Sequence, residues 1–285
     1  MIDVNAILSK AKQIGASDAH FIPGIKPTLR INRDLVELDE YENISKEDIL
    51  DVYDYFLKGN LDKDKFFREY KVLDTSAVFE DIRLRVNISY SSGLPVITTR
   101  LIRNELPTYE ELGVPDIVRR MTHQQQGLIL VTGKTNSGKS TTLNALINYI
   151  NENENKKILT LESPVEYKHK CKKSIIVQKE VGVGGDVPAY SIGTKNSLRE
   201  DCDILIIGEI RDRITMEAAI EMAESRTLSN RNTSYKIMCR NNRQNDKLLR
   251  SRRSITNKIF NCIIIKTCCV TKVNKKQKRN TIISS

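Results

Sequence analysis

The stretch Gly133-Lys-Thr-Asn-Ser-Gly-Lys-Ser140 leaves few options for the fold around it. It satisfies G-x-x-x-x-G-K-[S/T] at every fixed position. An apolar run, Leu128-Ile-Leu-Val131, leads into it, and a helix-compatible stretch, Thr141-Thr-Leu-Asn-Ala-Leu-Ile147, leads out. Strand, small-residue loop and helix in that order make a phosphate cradle. Across Gly133, Lys134, Thr135, Asn136, Ser137 and Gly138 the backbone must curl so that its N–H groups point inward at phosphate oxygens. The positive end of the following helix, from Thr141 on, adds to the attraction. Lys139 is spaced to reach the β and γ phosphates of ATP, and the Ser140 hydroxyl to join the shell of a Mg²⁺ ion. Asn136 stands where glycine is the usual choice, and Asn tolerates the left-handed region better than most residues.

The rest of the chain has the punctuation of two domains. Residues 1–102 read as an α+β module. Val4, Ile7, Leu8, Ala11 and Ile14 give one helical stripe. Residues 28–32 and 34–38 form a strand pair with a tight turn at Asn32–Asp34. Residues 46–57 form a helix with Ser45 as N-cap and Asp48 three residues on, an acidic capping box. Residues 79–90 and 96–102 alternate as strands. A Pro-punctuated linker follows at 103–115. Over 116–225 strand and helix signals alternate: strands at 128–132, 158–161 and 203–207, helices at 139–152 and 215–224. That is the pattern of a parallel sheet with helices on its faces.

Two apolar strands end in acids, as phosphoryl chemistry requires. Asp203-Ile-Leu-Ile-Ile-Gly-Glu209 delivers Glu209 to a carboxyl strand end, where open α/β sheets bind ligands and an acid can order the metal's water shell. Thr160-Leu-Glu-Ser-Pro-Val-Glu166 supplies Glu162 and Glu166, candidates for orienting or deprotonating water.

Net charge has to be read by region. The chain of 285 residues carries +10 overall, but residues 226–285 alone carry +15 and the first 225 carry −5. The basic character therefore belongs to the tail and argues against a nucleic-acid-binding body; no specific nucleic-acid partner is expected. A protein that binds nucleic acid through the tail alone is a separate reading. The tail has no Gly, Ala or Pro and holds four of the six cysteines, with no C-x-x-C pair for zinc. Only 259–265 looks like a short strand, and the tail is expected to be otherwise without structure. Cys171 and Cys202, in the body, are expected to be reduced, partly buried thiols. No stretch is long and apolar enough for a membrane-spanning helix, and the first residues lack a secretory layout, so the expected compartment is the cytoplasm.

From about residue 2 to 224 the chain resembles the PilT-like ATPases of type IV pilus retraction, within the wider type II/IV secretion ATPase family. Gly15-Ala-Ser-Asp18 with His20, Arg83-Leu-Arg-Val-Asn87, Arg100-Leu-Ile102, Leu106-Pro-Thr-Tyr-Glu-Glu-Leu-Gly-Val-Pro115 and Leu198-Arg-Glu-Asp-Cys-Asp203 running into Ile210-Arg-Asp212 carry the resemblance. It implies a small PAS-like domain followed by a RecA-like P-loop ATPase core, in a ring of six identical chains with ATP between neighbours. Glu166 would be the general base and Glu209 the acid near Mg²⁺. Arg83, Arg85 and Arg100 would reach nucleotide at a domain or subunit interface. The ring would work at the inner face of the cell membrane, against the inner-membrane platform protein of the pilus. Pilus-assembly and type II secretion ATPases are the alternatives within the family, and a truncated, non-catalytic nucleotide-binding protein is the alternative outside it.

Two departures stand out. Ser163 occupies a position where the family usually has Asp. Past Glu224 the family continues with a histidine box, whereas here Ser225-Arg-Thr-Leu-Ser-Asn230 follows and all three histidines, His20, His123 and His169, lie earlier. Permitted codons for residues 226–237, read one nucleotide downstream, give Gly-His-Leu-Val-Ile-Gly-Thr-Leu-His-Thr-Lys-Ser. That is the missing box in order. The tail is accordingly expected to come from a shifted frame, the ATPase core to be incomplete after residue 225 with its later strands lost, and turnover to be weak or absent.

Overall fold

Asp3 caps the first helix, α1 (Val4–Gln13), by accepting the Ala6 N–H at 3.0 Å. The computed structural model describes residues 2–102, 106–113, 127–133, 137–210, 212–224, 236–241 and 262–266; for Glu224 and the last two segments it describes the backbone only. These residues fall into two units, Met1–Glu105 and Leu106–Ser285.

The first unit places α1, α2 (Lys46–Leu57) and α3 (Leu61–Tyr70) with a six-stranded antiparallel sheet ordered β3-β2-β1-β6-β5-β4. Its strands are β1 (Asp18–Phe21), β2 (Thr28–Ile31), β3 (Asp34–Glu37), β4 (Val72–Phe79), β5 (Ile82–Ser91) and β6 (Leu94–Ile102). The expected β2–β3 turn is present. Ile31 pairs with Asp34, and Asn32 and Arg33 both take positive φ, the geometry that suits the right-handed twist of a two-residue hairpin. The capping box on α2 is also present, with the Asp48 N–H donating to Ser45 Oγ at 3.0 Å and the Ser45 N–H returning to Asp48 at 3.2 Å. Ile7, Leu8, Ile49 and Phe67 from the helices meet Phe21, Leu29, Leu84, Ile88 and Ile97 from the sheet. Each such buried side chain contributes about 1.5–3 kcal/mol relative to exposure.

The second unit is a parallel sheet ordered β12-β7-β11-β10-β8-β9, built from β7 (Gly127–Thr132), β8 (Lys157–Glu162), β9 (Ile175–Glu180), β10 (Ile204–Ile210), β11 (Lys236–Asn241) and β12 (Cys262–Lys266). Helices α4 (Lys139–Asn153), α5 (Tyr190–Ser197) and α6 (Arg213–Glu224) flank it. Strands β7 and β10 are buried at every residue, as sheets covered on both faces require. Ile129, Val131 and Ile206 pack with Leu143 and Ile147 of α4, while Leu128, Leu130 and Leu205 pack with Met216 and Ala219 of α6. Alternate residues of the same strands thus feed two cores. An α/β, parallel-sheet ATPase-type core after an antiparallel-sheet domain is the architecture expected from the sequence.

Several elements differ from the reading. One strand was expected over 79–90; instead β4 ends at Phe79, Glu80 turns at φ 49°, and β5 starts at Ile82. Glu80 and Asp81, two consecutive exposed polar residues between buried Phe79 and Ile82, interrupt the alternation and mark the turn. Helix α3 was not anticipated because its period is weak: Phe67 is its one buried residue. The larger correction concerns the tail. Apart from a short strand at 259–265 it was expected to be without structure, and the sheet to lose its later strands. Strand β12 overlaps that expected strand and pairs with one edge of β7, whereas β11, which was not expected, pairs parallel with both β7 and β10. The backbone N–H and C=O groups along β7 demand partners, and short runs containing Ile237-Met238 and Ile263-Ile-Ile265 have the length and apolarity to supply them. Cys171 is exposed rather than partly buried; Cys202 is buried, which pushes its thiol up to about 11.

Candidate phosphate-binding and hydrolytic site

Because β7, β8 and β10 are parallel, their carboxyl ends fall on one edge of the sheet, and the site is built there. From the tip of β7 the chain enters the predicted cradle. Gly133, Ser137 and Gly138 are described; Lys134, Thr135 and Asn136 lie outside the described residues, so the reading of Asn136 has no structural counterpart. Gly138 is the N-cap of α4 with φ 85° and ψ 15°, a left-handed conformation that glycine adopts without steric cost. Lys139 is buried, and its Nζ donates to the Gly133 carbonyl at 3.0 Å, folding the lysine back across the mouth of the loop. Ser140 and Thr141 form the first turn of α4.

A small cleft, open to solvent, lies between that turn and the neighbouring strand ends. Ser140, Asn144, Glu162, Ser163, Glu166 and Gly208 are among its lining residues. The loop serine, the acid-bearing turn after β8 and the glycine of the Gly-Glu pair in β10 therefore share one cavity. The approach is close because residue 208 is glycine. A Cβ there would sit 2.8 Å from the Leu161 carbonyl oxygen and 3.2 Å from the Glu162 Cα.

Glu209 is buried and reaches its place through a bulge. Between β10 and β11 the register shifts over Ile207 to Ile210. Ile207 and Ile210 consequently pack in the same core cluster although strict alternation would put them on opposite faces. The extra residue falls at Gly208 and Glu209, next to the strand end that lines the cleft.

Glu162, the last residue of β8, is buried and its carboxyl is raised above the usual carboxylate range, chiefly by that burial. The Thr160 hydroxyl donates to it at 2.6 Å and the Gln178 amide at 3.2 Å, and both hold the pKa down against burial. The proximity of Glu166 pushes it up further. Gln178 also donates to the Tyr167 carbonyl at 2.8 Å and accepts the His169 N–H at 2.9 Å, so one side chain of β9 sets both Glu162 and the turn carrying Glu166. Gln178, Asn144 and His169 were not singled out from sequence; no residue pattern marks a buried amide as different from a surface one.

Arg83, Arg85 and Arg100 lie in the first unit. Arg83 and Arg85 alternate with buried Ile82, Leu84 and Val86, and Arg100 stands directly opposite Arg85. Arg100 Nε donates to Asp18 at 2.9 Å, and Arg85 pairs with Asp74. The three arginines share one sheet face.

The donor set fits a hard divalent cation. Ser140 offers a hydroxyl in the first turn of α4 and Glu209 a carboxylate on the adjoining face, which suits Mg²⁺ with water and phosphate completing its shell. Among the described residues no group of three or more His, Cys, Asp or Glu forms a closed metal site.

Comparison with known proteins places residues 77–228 in the family described as Type II/IV secretion system protein. The chain is similar to "Type IV pilus retractation ATPase PilT" of Pseudomonas aeruginosa, 34% identical over 79% of this chain and 64% of that protein. It is 32% identical to "Type IV pilus ATPase PilU" of the same organism, over 74% of this chain and 54% of that protein. It thus spans between half and two thirds of the length of these relatives. Among solved structures, that of the pilus retraction motor PilT with bound ADP matches with a TM-score of 0.78 and 30% identity, over 96% of this chain and 73% of the other.

Proposed function

This chain belongs to the type II/IV secretion system protein family, and we propose that it binds ATP with Mg²⁺ at the cleft beside Ser140 and hydrolyses it as a motor subunit of type IV pilus retraction. The observation that carries the reading is the shared cavity: Ser140 in the first turn of the cradle helix, the turn bearing Glu166 and Gly208 at the end of β10 all line it.

The residues divide the work by chemistry. Lys139 supplies a fixed positive charge to the β and γ phosphates, and α4 presents its positive end to them. Ser140 and Glu209 would hold Mg²⁺, which would supply charge neutralisation for the transferring phosphoryl group. Glu166 takes the proton of the attacking water. Glu162, buried and held by Thr160 and Gln178, fixes the turn from which Glu166 projects. Arg83, Arg85 and Arg100 are proposed to complete the site in an assembled homo-hexamer, where a planar charged donor stabilises transferring phosphate. The platform protein of the pilus is the proposed partner, at the cytoplasmic face of the inner membrane. No helix among the described residues is long and apolar enough to cross a membrane. Ser163 in place of Asp removes a charge from the cleft wall and is expected to slow turnover rather than abolish binding.

Titration of the purified chain with a fluorescent ADP, with and without Mg²⁺, tests the core of this reading. Saturable, Mg²⁺-dependent binding that weakens roughly tenfold to a hundredfold in Lys139→Ala is the expected result. No affinity in a chain folded over its first 225 residues overturns it.

A further inference from the structure

The segment between β8 and β9 carries Glu166, and its later half is bonded to α4 by two buried asparagines. Asn144 is 4% exposed and Asn151 fully buried. They lie two turns apart on one face of α4. Asn144 donates its amide N–H to the Ser140 carbonyl at 3.0 Å, which leaves its oxygen to accept from His169 Nε2 at 2.8 Å. Asn151 donates to the Lys170 carbonyl at 2.8 Å and accepts the Lys172 N–H at 3.0 Å. Its own carbonyl takes the Lys173 N–H at 2.9 Å. From the sheet side Gln178 holds the Tyr167 carbonyl and the His169 N–H. A connecting loop ordinarily leaves its backbone to water and stays mobile; this one has its polar groups taken up by three amide side chains.

We propose that Asn144 and Asn151 are positioning residues: they strap the Glu166 loop to the phosphate-binding helix, and the chain Ser140 carbonyl–Asn144–His169 passes nucleotide occupancy at the first turn of α4 to that loop. Ser140 is the residue whose hydroxyl faces the metal in the function proposed above, on which the relay, though not the strap, rests. Binding at Ser140 fixes the first turn of α4. That turn fixes the Asn144 amide, and the amide fixes His169, a short step along the chain from Glu166. A loop ordered in this way presents its base only when phosphate is in place.

Hydrogen exchange on the full chain, with and without saturating Mg²⁺ and ATPγS, separates the two parts. In the wild type, exchange of the 165–173 amides is expected to slow about tenfold on adding nucleotide. Asn144→Ala removes that slowing, whereas His169→Gln, which keeps a donor to Asn144, retains it. Asn151→Ala speeds basal exchange at Lys172 about tenfold without nucleotide, because the bond that its side chain accepts from that amide is lost. Fluorescent-ADP affinity of Asn151→Ala stays within about threefold of wild type, because this residue is remote from the cradle. Nucleotide-dependent slowing that persists in Asn144→Ala overturns the relay. Unchanged basal exchange in Asn151→Ala overturns the strap. A wild-type chain that binds no nucleotide overturns the functional reading and the relay together, and the basal arm still decides the strap.

Discussion

Gly208 lies against the carbonyl of Leu161 so closely that a single added methyl would come within 2.8 Å of the oxygen. The contact joins the ends of β10 and β8 and sets the distance between the acids those strands carry. Gly208→Ala must push the strand ends apart, because the two nearest neighbours, the Leu161 carbonyl oxygen and the Glu162 Cα, are backbone atoms that cannot swing aside. The expected cost is about 1–3 kcal/mol, typical of overpacking in a close-packed interior. Thermal unfolding should report it as a lowered midpoint, and nucleotide affinity should fall with it. A Gly208→Ala chain as stable as the wild type would mean that the strand ends are looser than described.

Lys139 and Glu166 should separate binding from chemistry. Lys139 is buried and holds the Gly133 carbonyl in a loop made to receive phosphate. Lys139→Ala removes a charge-assisted contact worth about 1.5–3 kcal/mol, so affinity for Mg²⁺-ATP should drop roughly tenfold to a hundredfold. Glu166→Gln keeps size and polarity but cannot take a proton. In a chain that turns over, it should bind ATP normally and lose about 10²–10⁴-fold in kcat. Equilibrium nucleotide binding and a phosphate-release assay on the same preparations measure the two effects.

The pH dependence of stability should carry a signature of His169. Burial lowers its pKa from 6.5 to about 4 in the folded chain. As pH falls below 6.5 the unfolded chain takes up the proton first, so the folded state loses ground. The contribution of neutral His169 is complete above about pH 6.5 and is lost progressively between there and about pH 4. Its slope approaches about 1.4 kcal/mol per pH unit inside that window. Denaturant unfolding at a series of pH values should show the decline, and His169→Gln should flatten it. An identical slope in both proteins would assign the effect to other groups.

What was legible in the sequence was whatever a fixed spacing encodes. Lys139 and Ser140 follow from the loop motif, Glu209 from a Gly-Glu pair after four apolar residues, and the α2 cap from Ser45 and Asp48. The bulge at Gly208 and Glu209 was not legible, because it depends on the register against β11, a strand roughly thirty residues on in sequence. Asn144, Asn151 and Gln178 were missed for a different reason. An asparagine in a helix reads as a solvent-facing residue until the loop that satisfies its amide is known. Strand β9 has one exposed and five half-buried residues, and such an edge leaves only a faint alternation.

The tail offers the sharpest remaining test. Residues 236–241 occupy the slot between β7 and β10, and each residue of β7 from Gly127 to Thr132 is paired with one of them. A chain ending at 225 leaves the facing edges of β7 and β10 without that partner. Deleting 226–285 should therefore lower solubility and thermal stability together, visible as aggregation on gel filtration. The same slot lies a few residues beyond the point where the family's histidine box would run. We propose that residues from about 226 onward are read in a shifted frame. The codons for residues 226–237, taken one nucleotide downstream, are expected to give Gly-His-Leu-Val-Ile-Gly-Thr-Leu-His-Thr-Lys-Ser. Sequencing of the gene across this region decides the point, since a single incompatible codon ends the proposal. If the reading holds, the frame-restored chain should release phosphate from ATP at least tenfold faster than the chain as it stands, as expected for regaining one charge-stabilising group in the site.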